Sequence, residues 1–137
     1  LKKDRDVVLA AVNKDGNALE FANPLLQNDR DVVLAAVKQN GSALQYAHPS
    51  LKKNKNVVLA AVNKDGNALE FANPLLQNDK EVVLAAVKQN RNALKFAHPS
   101  LKKVVLAAVK QDGNALKFAN PSLREDHELK NIALSDT

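Results

Sequence analysis

The sequence predicts an all-α protein, an α-solenoid of short helical-hairpin repeats with five units and a C-terminal capping helix. Three observations carry that expectation. Leu1, Leu26, Leu51, Leu76 and Leu101 recur at a strict spacing of 25. Each opens a unit in which VVLAAV is followed by a polar stretch and then by A-L-x-F/Y-A. The residues flanking VVLAAV are of the kinds that start and stop helices. The units are 1–25, 26–50, 51–75, 76–100 and 101–122, with a cap over 123–137, forming a single repeat domain over 1–137. A second rhythm lies above the first, because residues 7–29 and 57–79 are identical over all 23 positions.

VVLAAV alone is ambiguous, since short apolar runs rich in valine also suit a buried strand. The flanks decide for helix. Asp4, Asp29, Asn54 and Asp79 stand three residues before the runs, where a side-chain oxygen caps free N–H groups. Asp6, Asp31 and Glu81 follow in the first turn, favourable for the helix dipole. Gly16, Gly41, Gly66 and Gly113 come four residues after the runs, which predicts a left-handed residue closing the helix. Helix A is thus expected over about eleven residues, for example Arg5 to Asp15. Asn17 to Ala22 predicts a shorter helix B, and Asn23-Pro24 a tight turn. The aromatic of each unit, Phe21, Tyr46, Phe71, Phe96 and Phe118, is expected in the core.

At 100° per residue, Val7, Ala10 and Ala11 share one side of helix A, and Val8, Leu9 and Val12 the other. A helix apolar on both sides needs neighbours on both, as in a stack of repeats. The stretch Leu123 to Leu134 keeps the first side apolar through Leu129, Ile132 and Ala133. It replaces the second side by Lys130 and Asn131, as a terminal cap should. No such polar replacement occurs in the first unit, so Val7, Ala10 and Ala11 are candidate partner-binding residues.

Two departures from the repeat carry expectations of their own. Arg91 replaces the glycine of unit four, which predicts a gain of about 1 kcal/mol on Arg91→Gly if the position requires φ > 0. Three residues are missing between Lys103 and Val104, which predicts a helix running from Leu101 to about Lys110.

The unit D-R-D-V-V-L-A-A-V-x-x-x-G-x-A-L-x-F/Y-A-x-P resembles the repeat known as domain of unknown function 4116. The resemblance covers residues 1–122, and its most specific form is V-V-L-A-A-V-K-Q-N-G at 32–41. It implies tandem helical repeats and supplies no catalytic residue.

Composition narrows the function classes. The 137 residues are 45% hydrophobic, and the longest apolar run is six residues, too short for a membrane span. Without cysteine there is neither a disulfide framework nor a thiolate metal site. G-x-S-x-G, H-E-x-x-H and a glycine-rich phosphate loop are all absent from the sequence. His48 and His98 lie two units apart, roughly 20 Å in a helical stack, so they cannot share a metal ion. No catalytic, cofactor-binding or metal-ligating residue is therefore assigned. The net charge of +5 is concentrated between residues 51 and 122. Lys52, Lys53 and Lys55 form its densest cluster, and Lys102 and Lys103 repeat the first pair.

The leading expectation is a non-catalytic scaffold for protein–protein interaction or assembly. Its partner would be another protein, or preceding repeats of a longer chain, on the face of Val7, Ala10 and Ala11. The alternative is binding of nucleic acid or another polyanion along the lysine edge.

Overall fold

The computed structural model describes residues 2–101 and Lys103. Those residues form a stack in which each of the first three units contributes three helical segments, with no strand among the described residues. The first unit consists of α1 (Lys2–Lys14), the 3-10 helix η1 (Gly16–Phe21) and the one-turn helix α2 (Pro24–Gln27). The second repeats this as α3 (Arg30–Gln39), η2 (Gly41–Tyr46) and α4 (Pro49–Lys52). The third follows with α5 (Lys55–Lys64), η3 (Gly66–Phe71) and α6 (Pro74–Gln77). The fourth provides α7 (Lys80–Gln89) and η4 (Arg91–Phe96). The solenoid expected from the repeat is what the chain forms. Its unit has three sides rather than two, because the expected turn at Asn23-Pro24 winds into α2.

Each boundary has a local chemical cause. Asp29, Asn54 and Asp79 cap α3, α5 and α7, accepting N–H groups of the first turn. Asp4 does not follow this pattern: α1 begins earlier, at Lys2, and Asp4 lies inside its first turn. The long helices stop at Asp15, Asn40, Asp65 and Asn90. Those that cap the 3-10 helices sit in extended backbone, with φ from −146° to −153°. The same side chains accept the N–H two residues later, so one residue ends the α-helix and starts the 3-10 helix. Asn23, His48 and Asn73 cap the one-turn helices in the same way, each followed by proline at the first helical position.

The expected left-handed glycines are not found. Among the described residues no glycine has positive φ. Gly16, Gly41 and Gly66 are required for a different reason. A Cβ on any of them would approach the carbonyl oxygen of Ala36, Ala61 or Ala86, in the next unit, closer than 3.0 Å. The glycine lets the next long helix lie directly on the start of the 3-10 helix. Arg91 keeps the same backbone, with Asn90 as cap and no positive φ. The expected stabilisation by Arg91→Gly therefore loses its basis.

Successive long helices pack on each other, as do successive 3-10 helices, and each long helix also rests on the 3-10 helix before it. The core between these layers is a ladder of Leu19, Leu44, Leu69 and Leu94 with Val12, Val37 and Val62, all fully buried. Burying a leucine of this kind stabilises by about 1.5–3 kcal/mol, so the ladder is the principal cohesive element. The aromatics, expected in the core, instead flank it: Tyr46, Phe71 and Phe96 are half-buried and Phe21 is exposed. The one-turn helices form a third seam, closed by backbone bonds from His48 N–H to the Gln27 carbonyl, Asn73 to Lys52 and His98 to Gln77.

Leu101 lies outside any helix. Lys103 is helical, whereas the stretch from Val104 to about Lys110, the fifth unit beyond it and the cap at Leu123 to Leu134 lie outside the described residues.

Candidate protein-docking surfaces

Helix α1 has one covered side and one open side. Val12 and Leu19 are fully buried against the second unit, whereas Val7 is 62% and Phe21 85% exposed. Ala10 and Ala11 are exposed as well. Val7, Val8, Ala11, Ala18, Phe21 and Ala22 together line a shallow apolar hollow at this end of the stack.

The identical stretch in unit three serves as an internal reference. There Val57, Ala61 and Ala68 are fully buried, and Phe71 is half-buried. The cover is unit two, whose α3 and η2 pack against α5 and η3. Residues 7–29 therefore carry an interface whose partner position, at this end of the described stack, is open. The aromatic belongs to that interface. Burial and the Glu20 carboxylate of the preceding unit push the Tyr46 hydroxyl above its ordinary pKa.

The lysine edge looks different in three dimensions. Lys52 is half-buried, and its carbonyl accepts the Asn73 N–H; Lys53 and Lys103 are exposed. Lys55 is not a free cation. Its Nζ lies 2.8 Å from Glu81 and 3.2 Å from Asp79, and these carboxylates raise its pKa. Lys102 lies outside the described residues.

Arg5 makes the same fork at the first junction, 2.8 Å from Asp29 and 3.2 Å from Asp31. Its hydrogen bond is the main cause holding the Asp29 carboxyl below its usual range, assisted by the Val32 and Asp31 amides. Burial pushes Asp79 the other way, but the Val82 amide and Lys55 outweigh it and the net shift is downward. Between units two and three the fork is missing, because Asn54 and Asn56 stand where the acids would be.

Two features of the surface escaped the sequence reading. Phe21 belongs to the open face and not to the core. Leu25 and Leu75 are exposed on the one-turn helices, where the even units carry Ser50 and Ser100. That serine was a readable sign of a solvent-facing position. His48, whose alternation with asparagine before proline marks a turn-capping position, has its Nδ1 2.9 Å from the Ser50 hydroxyl. The Ser50 hydroxyl donates to Asn28, and the imidazole accepts the Ser50 N–H, so the pair behaves as a helix cap. Asn23 and Asn73 occupy the same position and do the same work with an amide.

Among the described residues no three metal-ligating side chains converge, and no helix is long and apolar enough to cross a membrane. Comparisons with curated proteins and with solved structures returned no match. The family model described as a domain of unknown function, DUF4116, matches residues 4–52, 54–102 and 102–136. The first two matches each span two of the 25-residue units, in step with the longer rhythm of the sequence. With three tandem matches covering nearly its whole length, the chain belongs to the DUF4116 family.

Proposed function

We propose that this protein is a non-catalytic helical-repeat scaffold that binds other proteins, with the open end of the stack as its principal contact surface. The observation that carries the reading is the apolar face of Val7, Ala10, Ala11 and Phe21, whose sequence-identical counterpart in unit three is a buried interface. Exposed apolar patches with such a counterpart are marks of association. The polar groups of the repeat support a structural role, since they cap helices or link neighbouring units. Polyanion binding along the lysine edge has less support once Lys55 is committed to Asp79 and Glu81.

A photo-crosslinking side chain at Phe21 tests the reading against the same group at exposed Glu70. Discrete protein adducts from position 21, insensitive to salt, are the expected outcome. Adducts from neither position, together with salt-dependent binding of duplex DNA or single-stranded RNA, would replace it by the polyanion function.

A further inference from the structure

Among the described residues, the exposed large apolar side chains are Val7, Phe21, Leu25 and Leu75. The first two belong to the open end of the stack, and the two leucines do not. Both lie on one-turn helices along the third seam, at 81% and 76% exposure. Leu75 has a unit stacked on either side of its own, yet it is nearly as open as Leu25. Their exposure is therefore lateral, and it does not depend on where the stack begins. Nor does the fold require a leucine there, because Ser50 and Ser100 hold the same position in the even units.

A cation stands between the two leucines. Lys53 follows α4 in right-handed helical backbone, with φ −95° and ψ −7°, three residues after Ser50. That spacing puts it on the face of Ser50, in the row of Leu25 and Leu75. Asn28 and Asn78 take the place of this lysine after α2 and α6. Lys53 and Lys103 are exposed, and Lys53 pairs with no carboxylate of the described residues. Beside Leu25 the surface differs, with a hollow bounded by Asp4 and by the Arg5–Asp29 ion pair. Apolar and cationic contacts thus alternate along the seam, one unit apart.

Neighbouring helices of a stack lie about 8–10 Å apart, so Leu25 and Leu75, two units apart, are separated by roughly 16–20 Å. An α-helix covers that span in about eleven to thirteen residues. Residues about eleven apart return to one face of a helix, and those about four and seven after the first share it. An extended strand covers the step from a leucine to Lys53 in about three residues, which turns successive contacts to opposite faces. The spacing selects a helix, and the sign of Lys53 selects its charge.

We infer that this lateral face docks an acidic amphipathic helix of a partner protein. The helix lays one apolar side chain on Leu25 and another on Leu75, and turns carboxylates to Lys53 between them. This inference rests on the protein-binding function proposed above, gives it a second surface and names the chemistry of the partner.

The test titrates the full chain into a fluorescent, alanine-based helical peptide built to that spacing, with glutamate at both positions between its leucines. Saturable binding is expected, weakened about tenfold or more by Leu25→Ser with Leu75→Ser. The even units carry serine at this position, so the variant keeps the fold, which circular dichroism checks. Lys53→Glu should weaken binding to a similar extent at low salt and less at high salt. A peptide with lysine for both glutamates should not bind. One with its leucines moved to opposite faces should bind about tenfold more weakly.

No saturable binding, or binding that the serine variant leaves unchanged, overturns the inference. Equal binding of the peptide with opposed leucines overturns the two-anchor geometry and the helix with it. Binding lost in Lys53→Glu but intact in the serine variant is charge attraction alone, and refutes the apolar docking. In each case discrete adducts from position 21 keep the scaffold function, which its own crosslinking test decides.

Discussion

The junction between units one and two differs from that between units two and three in its polar contacts, while the apolar contacts are nearly the same. At the first, Arg5 forks onto Asp29 and Asp31, and the Gln39 side chain accepts the Gly16 N–H at 2.9 Å. At the second, Arg30 faces Asn54 and Asn56 in register, and Lys64 replaces the glutamine. The third junction returns to the first pattern, with Lys55 on Asp79 and Glu81 and with Gln89 on Gly66. Burial of valine, alanine and leucine has a period of 25, whereas polar linkage has a period of 50. Stacking therefore depends on the apolar ladder and the glycines, and the polar links distinguish one kind of neighbour from the other.

The largest expected effect removes something both junctions share. Gly41→Ala places a methyl against the Ala61 carbonyl and should destabilise the stack by about 3 kcal/mol, read from urea unfolding. Gly16→Ala should match it at the first junction. A small loss at either site would show that the long helices can separate without losing the fold.

A smaller effect divides the junctions. Gln39→Ala leaves the half-buried Gly16 N–H without its acceptor and should lower stability by about 1 kcal/mol. Lys64→Ala, at the matching position of the second junction, should stay within about 0.5 kcal/mol. Equal losses would mean that the glutamine acts through its helix and not through the junction.

The smallest effect is acid sensitivity. Asp29 and Asp79 are held below their ordinary value of 3.8, so each contributes stability that is complete above that value. This contribution is lost as pH falls through 3.8 towards the lower folded values. Asn54→Asp with Asn56→Asp gives Arg30 a fork of its own, and should increase both the stability at neutral pH and the loss on acidification. An unchanged acid slope in that variant would show that Arg30 does not reach across the second junction.

Much of this architecture was legible because its causes are local. Asp29, Asn54 and Asp79 announce their helices through capping chemistry. The period of VVLAAV fixes which side chains share a side, and Val7, Ala10 and Ala11 are indeed open. What escaped reading depends on distances between units. The glycines pattern like helix stops, but their reason is a carbonyl of the next unit. Lys55 looks like part of a basic cluster until the superhelix brings Asp79 and Glu81 beside it, 24 and 26 residues later in the chain. Phe21 reads as core because one aromatic recurs in every unit, and its place at the end of the described stack leaves it more exposed than its half-buried siblings.

The identity of residues 7–29 and 57–79 also bears on how the chain folds. Unit four meets unit three in the native stack, but unit one offers it the same residues. A misregistered chain that pairs units one and four buries an equivalent surface and leaves units two and three looped out. Closing that contact uses a tether of 75 residues instead of 25, an entropic difference of only about 1 kcal/mol. Early in refolding, misaligned pairs should therefore form alongside native ones and slow the final phase, a failure typical of tandem repeats. Native order then wins because it completes every junction, and the looped arrangement forfeits two. Until those junctions close, tether length is what separates unit three from its double.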